Sequence, residues 1–200
     1  NTNSTISSPT HAYGAFGTFV VRLISISDYG CKDSITSNIY VRPHPVANYS
    51  LNDTSKCLRV NMFVYTNISS IASGTYSNLW KFGDNTTATV ASPVHNYPNT
   101  GTFIAQLITS SNYGCKDTLA KNIYVRPHPQ TIFSIDDTDQ CLRGNSFAFT
   151  NSSIINSGTF TNLWRFGDNT TAITTSPSHT YSASGSFSPR LVTTSNFGCK

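Results

Sequence analysis

The sequence predicts an all-β chain built as tandem antiparallel β-sandwiches. Three observations carry this reading. The chain repeats itself every 84 residues, and a fixed period of this size marks an array of like units. Its apolar residues alternate with polar ones in short runs, the pattern of half-buried strands. Gly, Asn and Pro stand between those runs, and no stretch sets apolar residues at helical spacing between caps.

The repeat is centred on Leu79-Trp80-Lys81-Phe82-Gly83-Asp84-Asn85, which returns as Leu163-Trp164-Arg165-Phe166-Gly167-Asp168-Asn169. Residues two apart on a strand share a face. Trp80 and Phe82 therefore point inward together, while Lys81 and its counterpart Arg165 point outward. Gly-Asp-Asn then closes the strand with residues suited to a turn. Tyr29-Gly30-Cys31-Lys32-Asp33 recurs as Tyr113 to Asp117, and Phe197-Gly198-Cys199-Lys200 is a third, partial copy. Asn38 to Pro45 recurs letter for letter as Asn122 to Pro129.

Pro43-His44-Pro45 and Pro127-His128-Pro129 punctuate the array, because closely spaced prolines stiffen the chain and stop a sheet ladder. They set three units: 1–45, the second half of a repeat; 46–129, a whole repeat; and 130–200, a repeat lacking its last strand. The chain reads as a window on a longer array. The incomplete units are expected to leave unpaired edges, to be filled by continuing chain or by strand exchange with neighbouring copies.

Within a unit the strands follow in order. Met62-Phe63-Val64-Tyr65 and Ser146-Phe147-Ala148-Phe149 place aromatics at alternate positions. The next inward set is Phe103, Ala105 and Leu107, with copies Phe19, Val21, Leu23 and Phe187, Pro189, Leu191. Arg22, Gln106 and Arg190 occupy the outer face. Ile123 and Val125 carry the last strand. Pro189 conflicts with a central strand, since it removes a ladder donor; a bulge or a turned-away position is expected there.

Composition bounds the function. Charged residues make up 11% of the chain and aromatics 12%; the aromatics exclude disorder. The net charge of +4 is spread thinly, without the basic stripe of a nucleic-acid surface. No run approaches a membrane span of about 20 apolar residues. Asn1 opens a polar stretch rather than a signal peptide, so the sequence reads as mature or excised.

The motifs resemble the PKD (polycystic kidney disease) domain. The residues that carry the resemblance are Trp80, Phe82, Gly83 and Asp84, then Ser92, Pro93, His95 and Tyr97, then Gly101-Thr102-Phe103. The third unit repeats them at Trp164, Phe166, Gly167 and Asp168, from Ser176 through His179 to Tyr181, and at Gly185-Ser186-Phe187. The first keeps Ser8-Pro9, His11, Tyr13 and Gly17-Thr18-Phe19. The resemblance implies an immunoglobulin-like sandwich of about seven strands. With the added Gly-Cys-Lys-Asp element, it is similar to the repeat arrays of large Bacteroidota surface proteins, gliding-motility adhesins among them. Asn85 and Asn169 stand where the family usually has a second Gly, and Asn also tolerates left-handed backbone.

Trp80 and Trp164 could stack on sugars, but their alternation with Phe82 and Phe166 favours core. Asp84 with His95 and a nearby Ser suggests a hydrolytic triad, but no positioned nucleophile or oxyanion hole accompanies them. His11, His95 and His179 are expected to bond backbone, and Tyr13, Tyr97 and Tyr181 to form tyrosine corners. His44 and His128 are expected in solvent. Asp84, Asp136, Asp137 and Asp139 leave calcium as a minority reading, though without an EF-hand loop; no cofactor is otherwise implied. Sequons stand at Asn3, Asn48, Asn52, Asn67, Asn85, Asn151 and Asn169. Asp33-Ser34-Ile35 and Asp117-Thr118-Leu119 are similar to a Bacteroidota O-glycosylation signal, with Ser34 and Thr118 as acceptors.

Five cysteines, Cys31, Cys57, Cys115, Cys141 and Cys199, recur at alternating spacings in an apparently extracellular chain, which argues for bridges. One pairing lies within units: Cys57–Cys115 and Cys141–Cys199. The other staples successive units through Cys57–Cys199. Cys57 is expected at the bottom of its sandwich and Cys115 at the top, about 23 Å apart for a seven-residue strand. A disulfide needs Cα atoms within about 7 Å. Stacked head to tail, the bottom of one unit meets the top of the next, which favours the staple and leaves Cys31, Cys115 and Cys141 to outside partners.

The expectation is a non-enzymatic structural and adhesive rod of a secreted or cell-surface filament. Its partners would be neighbouring repeats, surface polysaccharide or other adhesins, not nucleic acid. The rival is a carbohydrate-binding accessory region of a secreted polysaccharide- or protein-degrading enzyme.

Overall fold

The computed structural model describes residues 2–200 and is all-β but for one 3-10 turn at Leu58–Val60. The first strands are β1 (Gly17–Ile26) and β2 (Lys32–Val41). The central unit comprises β3 (Tyr49–Leu51), β4 (Ser55–Cys57), β5 (Met62–Asn67), β6 (Tyr76–Lys81), β7 (Thr87–Ala88), β8 (Val94–Asn96), β9 (Gly101–Ser111) and β10 (Lys116–Arg126). The C-terminal unit comprises β11 (Phe133–Ile135), β12 (Phe147–Asn151), β13 (Phe160–Arg165), β14 (Thr171–Ala172), β15 (Ser178–His179) and β16 (Arg190–Ser195).

The central unit packs a five-stranded sheet, β4-β10-β9-β6-β7, against a three-stranded one, β3-β5-β8. All pairings are antiparallel except β4 with β10. The alternation read from sequence becomes burial. Phe63, Tyr65, Trp80, Phe82, Tyr97, Leu107, Ile123 and Val125 form one core, with Phe103 half-buried at its rim. Lys81 faces solvent between Trp80 and Phe82.

The C-terminal unit repeats this plan around Phe149, Trp164, Phe166, Tyr181 and Leu191. Its larger sheet has only β14-β13-β16. Pro189 falls outside the ladder: β13 meets β16 from Arg190, the same register at which β6 meets β9 at Gln106, while Gly101–Ala105 are strand through their pairing with β10, which has no counterpart among the described residues of this unit.

One expectation is corrected in the N-terminal hairpin. β1 and β2 pair over ten residues as a two-stranded sheet, yet Val21 and Leu23 are exposed and Phe19 only half-buried. Their counterparts Ala105 and Leu107 are buried because β3 and β5 lie across from them; among the described residues no second sheet covers the hairpin.

The ladders stop where the prolines were expected to stop them, β2 at Val41 and β10 at Arg126. Pro43, Pro45, Pro127 and Pro129 are all buried. His44 is exposed, but its Nδ1 lies 2.8 Å from the Pro45 carbonyl. His128 is half-buried rather than solvated, with Nδ1 3.2 Å from the Pro129 carbonyl. In each Pro-His-Pro the carbonyl of the second proline gives the imidazole a local acceptor.

Candidate functional site

The repeated motif builds a buried aromatic stack beneath a polar clamp. Trp80 is fully buried at the end of β6, and its indole Nε1–H donates to the Val90 carbonyl at 3.1 Å. Trp164 does the same to Thr174 at 3.1 Å. With the indole faces packed edge-on against Tyr49 and Phe133, neither Trp offers a platform to a sugar.

After Phe82 the backbone must turn tightly. Gly83 has φ of +86°, and a Cβ there would lie 2.8 Å from the backbone N and O of Ile104. Gly167 has φ of +93°, with Ser188 N at 2.9 Å. Asn85 and Asn169 take φ of 70° and 69°, the left-handed geometry that Asn tolerates.

That turn delivers Asp84 to His95 on β8. The His95 Nε2–H donates to Asp84 Oδ2 at 2.7 Å, and Oδ1 accepts from the Thr86 N–H at 3.1 Å and the Thr86 hydroxyl at 2.5 Å. The His95 ring stacks on Phe82 at 4.0 Å. In the C-terminal unit Asp168, Thr170, His179 and Phe166 repeat the arrangement, with His179 2.8 Å from Asp168. This corrects the expectation that these histidines bond backbone: the β5–β8 register places His95 over the turn, where a carboxylate is the nearer acceptor. His11 instead packs edge-on against Tyr13.

Burial pushes the Asp84 carboxyl up, but the bonds from Thr86 and His95 outweigh it and hold the pKa below its ordinary value. At Asp168 the Thr170 hydroxyl leads in pulling the pKa down, to about 2. Both groups are carboxylates whose acceptor capacity is spent on the fold. A triad would need a nucleophile on the second imidazole nitrogen; here the Thr hydroxyl faces the carboxylate instead. Among the described residues no three His, Cys, Asp or Glu side chains converge to hold a metal ion.

Tyr97 is buried, its hydroxyl donating to the Phe82 carbonyl at 2.9 Å, and Tyr181 donates to Phe166 at 2.9 Å. The bond reaches backbone, but 15 residues upstream rather than the few of a tyrosine corner. Burial raises the Tyr97 pKa to about 12.

The cysteines meet at the junction of units. Cys57 and Cys199 are bonded, 142 residues apart in sequence with Cα atoms 5.6 Å apart. Cys57 lies in β4, a strand parallel to the end of β10, rather than in a turn. Cys199 lies in the turn after β16. Cys31 and Cys141 are free and exposed; Cys115 is free and half-buried.

Sequence reasoning missed the rest of this joint. The Arg126 guanidinium lies 4.7 Å from the Tyr124 ring and 4.6 Å from the Phe197 ring, and its Nε–H donates to Ser55 Oγ at 3.1 Å. Arg42 repeats this between Tyr40 at 5.2 Å and Tyr113 at 4.7 Å. The available signal was an Arg in the repeated octapeptide and an aromatic before every Gly-Cys. Ser34 and Thr118 are exposed on β2 and β10, each N–H bonded to the carboxylate of the preceding Asp.

A family model described as the PKD domain matches residues 42–126 and 129–200. Over 61 residues, 30% of the chain, the sequence is 36% identical to the collagenase ColA of Bacillus cereus; the match spans 6% of that protein's length. Among solved structures, the PKD1 domain of Vibrio anguillarum Epp aligns at 23% identity over 42% of this chain and 96% of that domain, with a TM-score of 0.38. The PKD1 domain of the Vibrio cholerae metalloprotease PrtV aligns at 31% identity over 41% of this chain and 96% of that domain, with a TM-score of 0.37. With the family model matching most of its length, in two tandem copies, the chain belongs to the PKD-domain family.

Proposed function

We propose that this chain is a non-catalytic, load-bearing segment of an extracellular or cell-surface protein, a rod of sandwiches that holds other parts at a distance. The observation that carries it is the joint. A disulfide links β4 of the central sandwich to the turn after β16 of the next, Arg126 is held between an aromatic from each, and the intervening prolines are buried rather than left as a free tether. Flexible linkers between domains are the default; three constraints at one junction suit a part that must not bend. A disulfide of this kind also fits an oxidising compartment. Partners would be like repeats along the rod and surface polysaccharide or other adhesins at its end.

The test is small-angle scattering of the 200-residue chain, oxidised and reduced. The rod reading expects one extended, narrow distance distribution when oxidised and a broader one when reduced. Identical broad profiles in both states would sink it.

A second reading is favoured by the local identity to a collagenase: these domains serve as accessory modules beside the catalytic domain of a secreted enzyme. Burial of Trp80 and Trp164 removes the obvious sugar platform, so any substrate contact would use another face. Binding of the chain to fibrous collagen or insoluble polysaccharide would favour the accessory role, as would a catalytic domain encoded within a few hundred codons.

A further inference from the structure

The joint between the central and C-terminal sandwiches carries a cleft of about 300 Å³, lined by Arg59, His128, Gln130, Ile154, Ile155 and Asn156. Arg59 belongs to the central unit, in the 3-10 turn that follows β4. His128 and Gln130 lie on the chain that crosses the joint. Ile154 to Asn156 lie in the loop between β12 and β13. Cys57 stands two residues before Arg59, so its bond to Cys199 ties the turn bearing Arg59 to the C-terminal unit.

The polar groups of this cleft are not used by the fold. Among the described residues the ion pairs are His95–Asp84 and His179–Asp168; Arg59 belongs to neither and is exposed. No Asp or Glu is among the lining residues. Gln130 meets Ile154 through backbone alone, N–H to carbonyl at 2.8 and 3.1 Å, so its side-chain amide takes no part in that bridge. The His128 Nδ1 lies 3.2 Å from the Pro129 carbonyl. That contact puts the proton on Nδ1 and leaves Nε2 as an acceptor.

The preceding joint shows that the two amides are surplus to the architecture. There His44 stands for His128, and Val46 bridges Ser70 as Gln130 bridges Ile154. Ile71 stands for Ile155, but Val46 replaces Gln130 and Ala72 replaces Asn156. The same Pro-His-Pro and the same backbone bridge therefore form with a valine and an alanine at these positions.

The lining names its ligand by chemistry. A guanidinium without a carboxylate beside it takes carboxylate or sulfate oxygens, two at a time. The other groups exceed what a bare anion uses. Two amides and an imidazole acceptor suit hydroxyls, and Ile154, 56% exposed, and Ile155 offer an apolar face to C–H groups. One negative group, several hydroxyls and a C–H face together describe an acidic sugar. The volume is at the small end of ligand sites, which favour domain interfaces, so it suits one ring. A net charge of +4 favours anionic partners over the molecule as a whole. We propose that this cleft binds an acidic sugar residue of a polysaccharide, with Arg59 on its anionic group, Gln130 and Asn156 on its hydroxyls, and its ring against Ile154 and Ile155.

The test is an NMR titration of the oxidised chain with sodium glucuronate, glucose, sodium sulfate and N-acetylaspartate in turn. Glucuronate should bind with a Kd on the order of millimolar and shift the amides of Arg59, Gln130, Ile155 and Asn156 together. Glucose should bind about tenfold more weakly or worse, because it brings no charge to Arg59. Sulfate and N-acetylaspartate should perturb Arg59 and leave Ile155 unmoved. Arg59→Gln should weaken glucuronate binding about tenfold or more, the loss expected of a charge-assisted bond. Gln130→Val with Asn156→Ala, the side chains of the preceding joint, should weaken it as well and leave the melting temperature unchanged. Cys57→Ser should also weaken it, since the turn bearing Arg59 is then released from the C-terminal unit. Equal shifts with glucose and glucuronate, shifts that miss Ile155 and Asn156, tighter binding of N-acetylaspartate, or glucuronate binding that both cleft variants leave intact would each overturn the proposal. Any of these results leaves the scattering test of the rod standing, because a stiff joint needs no ligand.

Discussion

At Gly83 the fold depends on a missing methyl group. The positive φ and the 2.8 Å approach to Ile104 backbone act together, and neither neighbour is a side chain that could move. Gly83→Ala should cost about 1–3 kcal/mol from backbone strain alone, with the steric contact adding to it; chemical denaturation of the central sandwich measures this. Trp80 is the reverse case, a large side chain with no exposure. Trp80→Ala should cost about 3–5 kcal/mol as a core truncation, a large share of a typical domain's stability. A loss well below 1 kcal/mol would return Trp80 to the surface. The His-Asp clamp adds a pH dependence. The Asp168 pKa falls from an ordinary 3.8 to about 2 in the folded chain. Between those values the unfolded chain binds the extra proton, so this carboxylate's contribution is full above pH 4 and is lost as pH falls toward 2. Melting temperature should drop over that window, and Asp168→Asn should flatten the drop. Trp80 and Phe82 were legible in the sequence because period-two alternation maps onto burial. The partner of His95 was not, because it is set by where β8 lies over the turn.

Strands announced themselves where they were long. The alternations through Phe103, Ala105 and Leu107 and through Ile123 and Val125 needed only pattern, although β10 begins earlier than that pattern shows, at Lys116. β4 did not, since Ser55-Lys56-Cys57 has no periodicity and is a strand only because the end of β10 lies parallel to it. This matters for Cys57, which pattern alone assigns to a turn and the structure assigns to β4. The hairpin shows the opposite limit. β1 carries the same alternation as β9, yet Val21 and Leu23 are exposed, because inward is defined by a second sheet and not by the strand. Pro189 is the sharpest case within one element. Ala105 at the corresponding position pairs with Lys121 of β10 and is buried, whereas Pro189 has no such neighbouring strand and β16 begins one residue later, at the register where β6 first meets β9. Pro189→Ala should therefore leave β16 starting at Arg190, since the new N–H meets no neighbouring strand. The check is hydrogen exchange: amides from 187 to 189 should stay rapidly exchanging in the variant, and gained protection there would mean that the proline alone limits the strand.

Across the whole molecule the joint couples a strong constraint to a weak one. Closing a loop with a sequence separation of 142 restricts the unfolded chain by about 5 kcal/mol on the loop-entropy relation. The Arg126–Phe197 contact, with Phe197 41% exposed, belongs to the exposed class of cation–π pairs at about 0.5–1 kcal/mol. Alone, a contact that weak could not hold two sandwiches together against their free rotation. With Cys57 and Cys199 bonded, however, Phe197 lies two residues from the staple and cannot leave the neighbourhood of Arg126, so the ring is held at high effective concentration. The two constraints should therefore be non-additive. In Cys57→Ser, amides from 196 to 199 should exchange faster, and the further change Arg126→Ala should alter little, because the aromatic contact is already broken most of the time. In the oxidised chain Arg126→Ala should produce a measurable rise in exchange at Phe197 on its own. A double-mutant cycle on exchange rates at Phe197 reads the coupling directly. Equal effects of Arg126→Ala with and without the disulfide would mean that Arg126 holds the joint by itself and that the staple acts only on the unfolded chain.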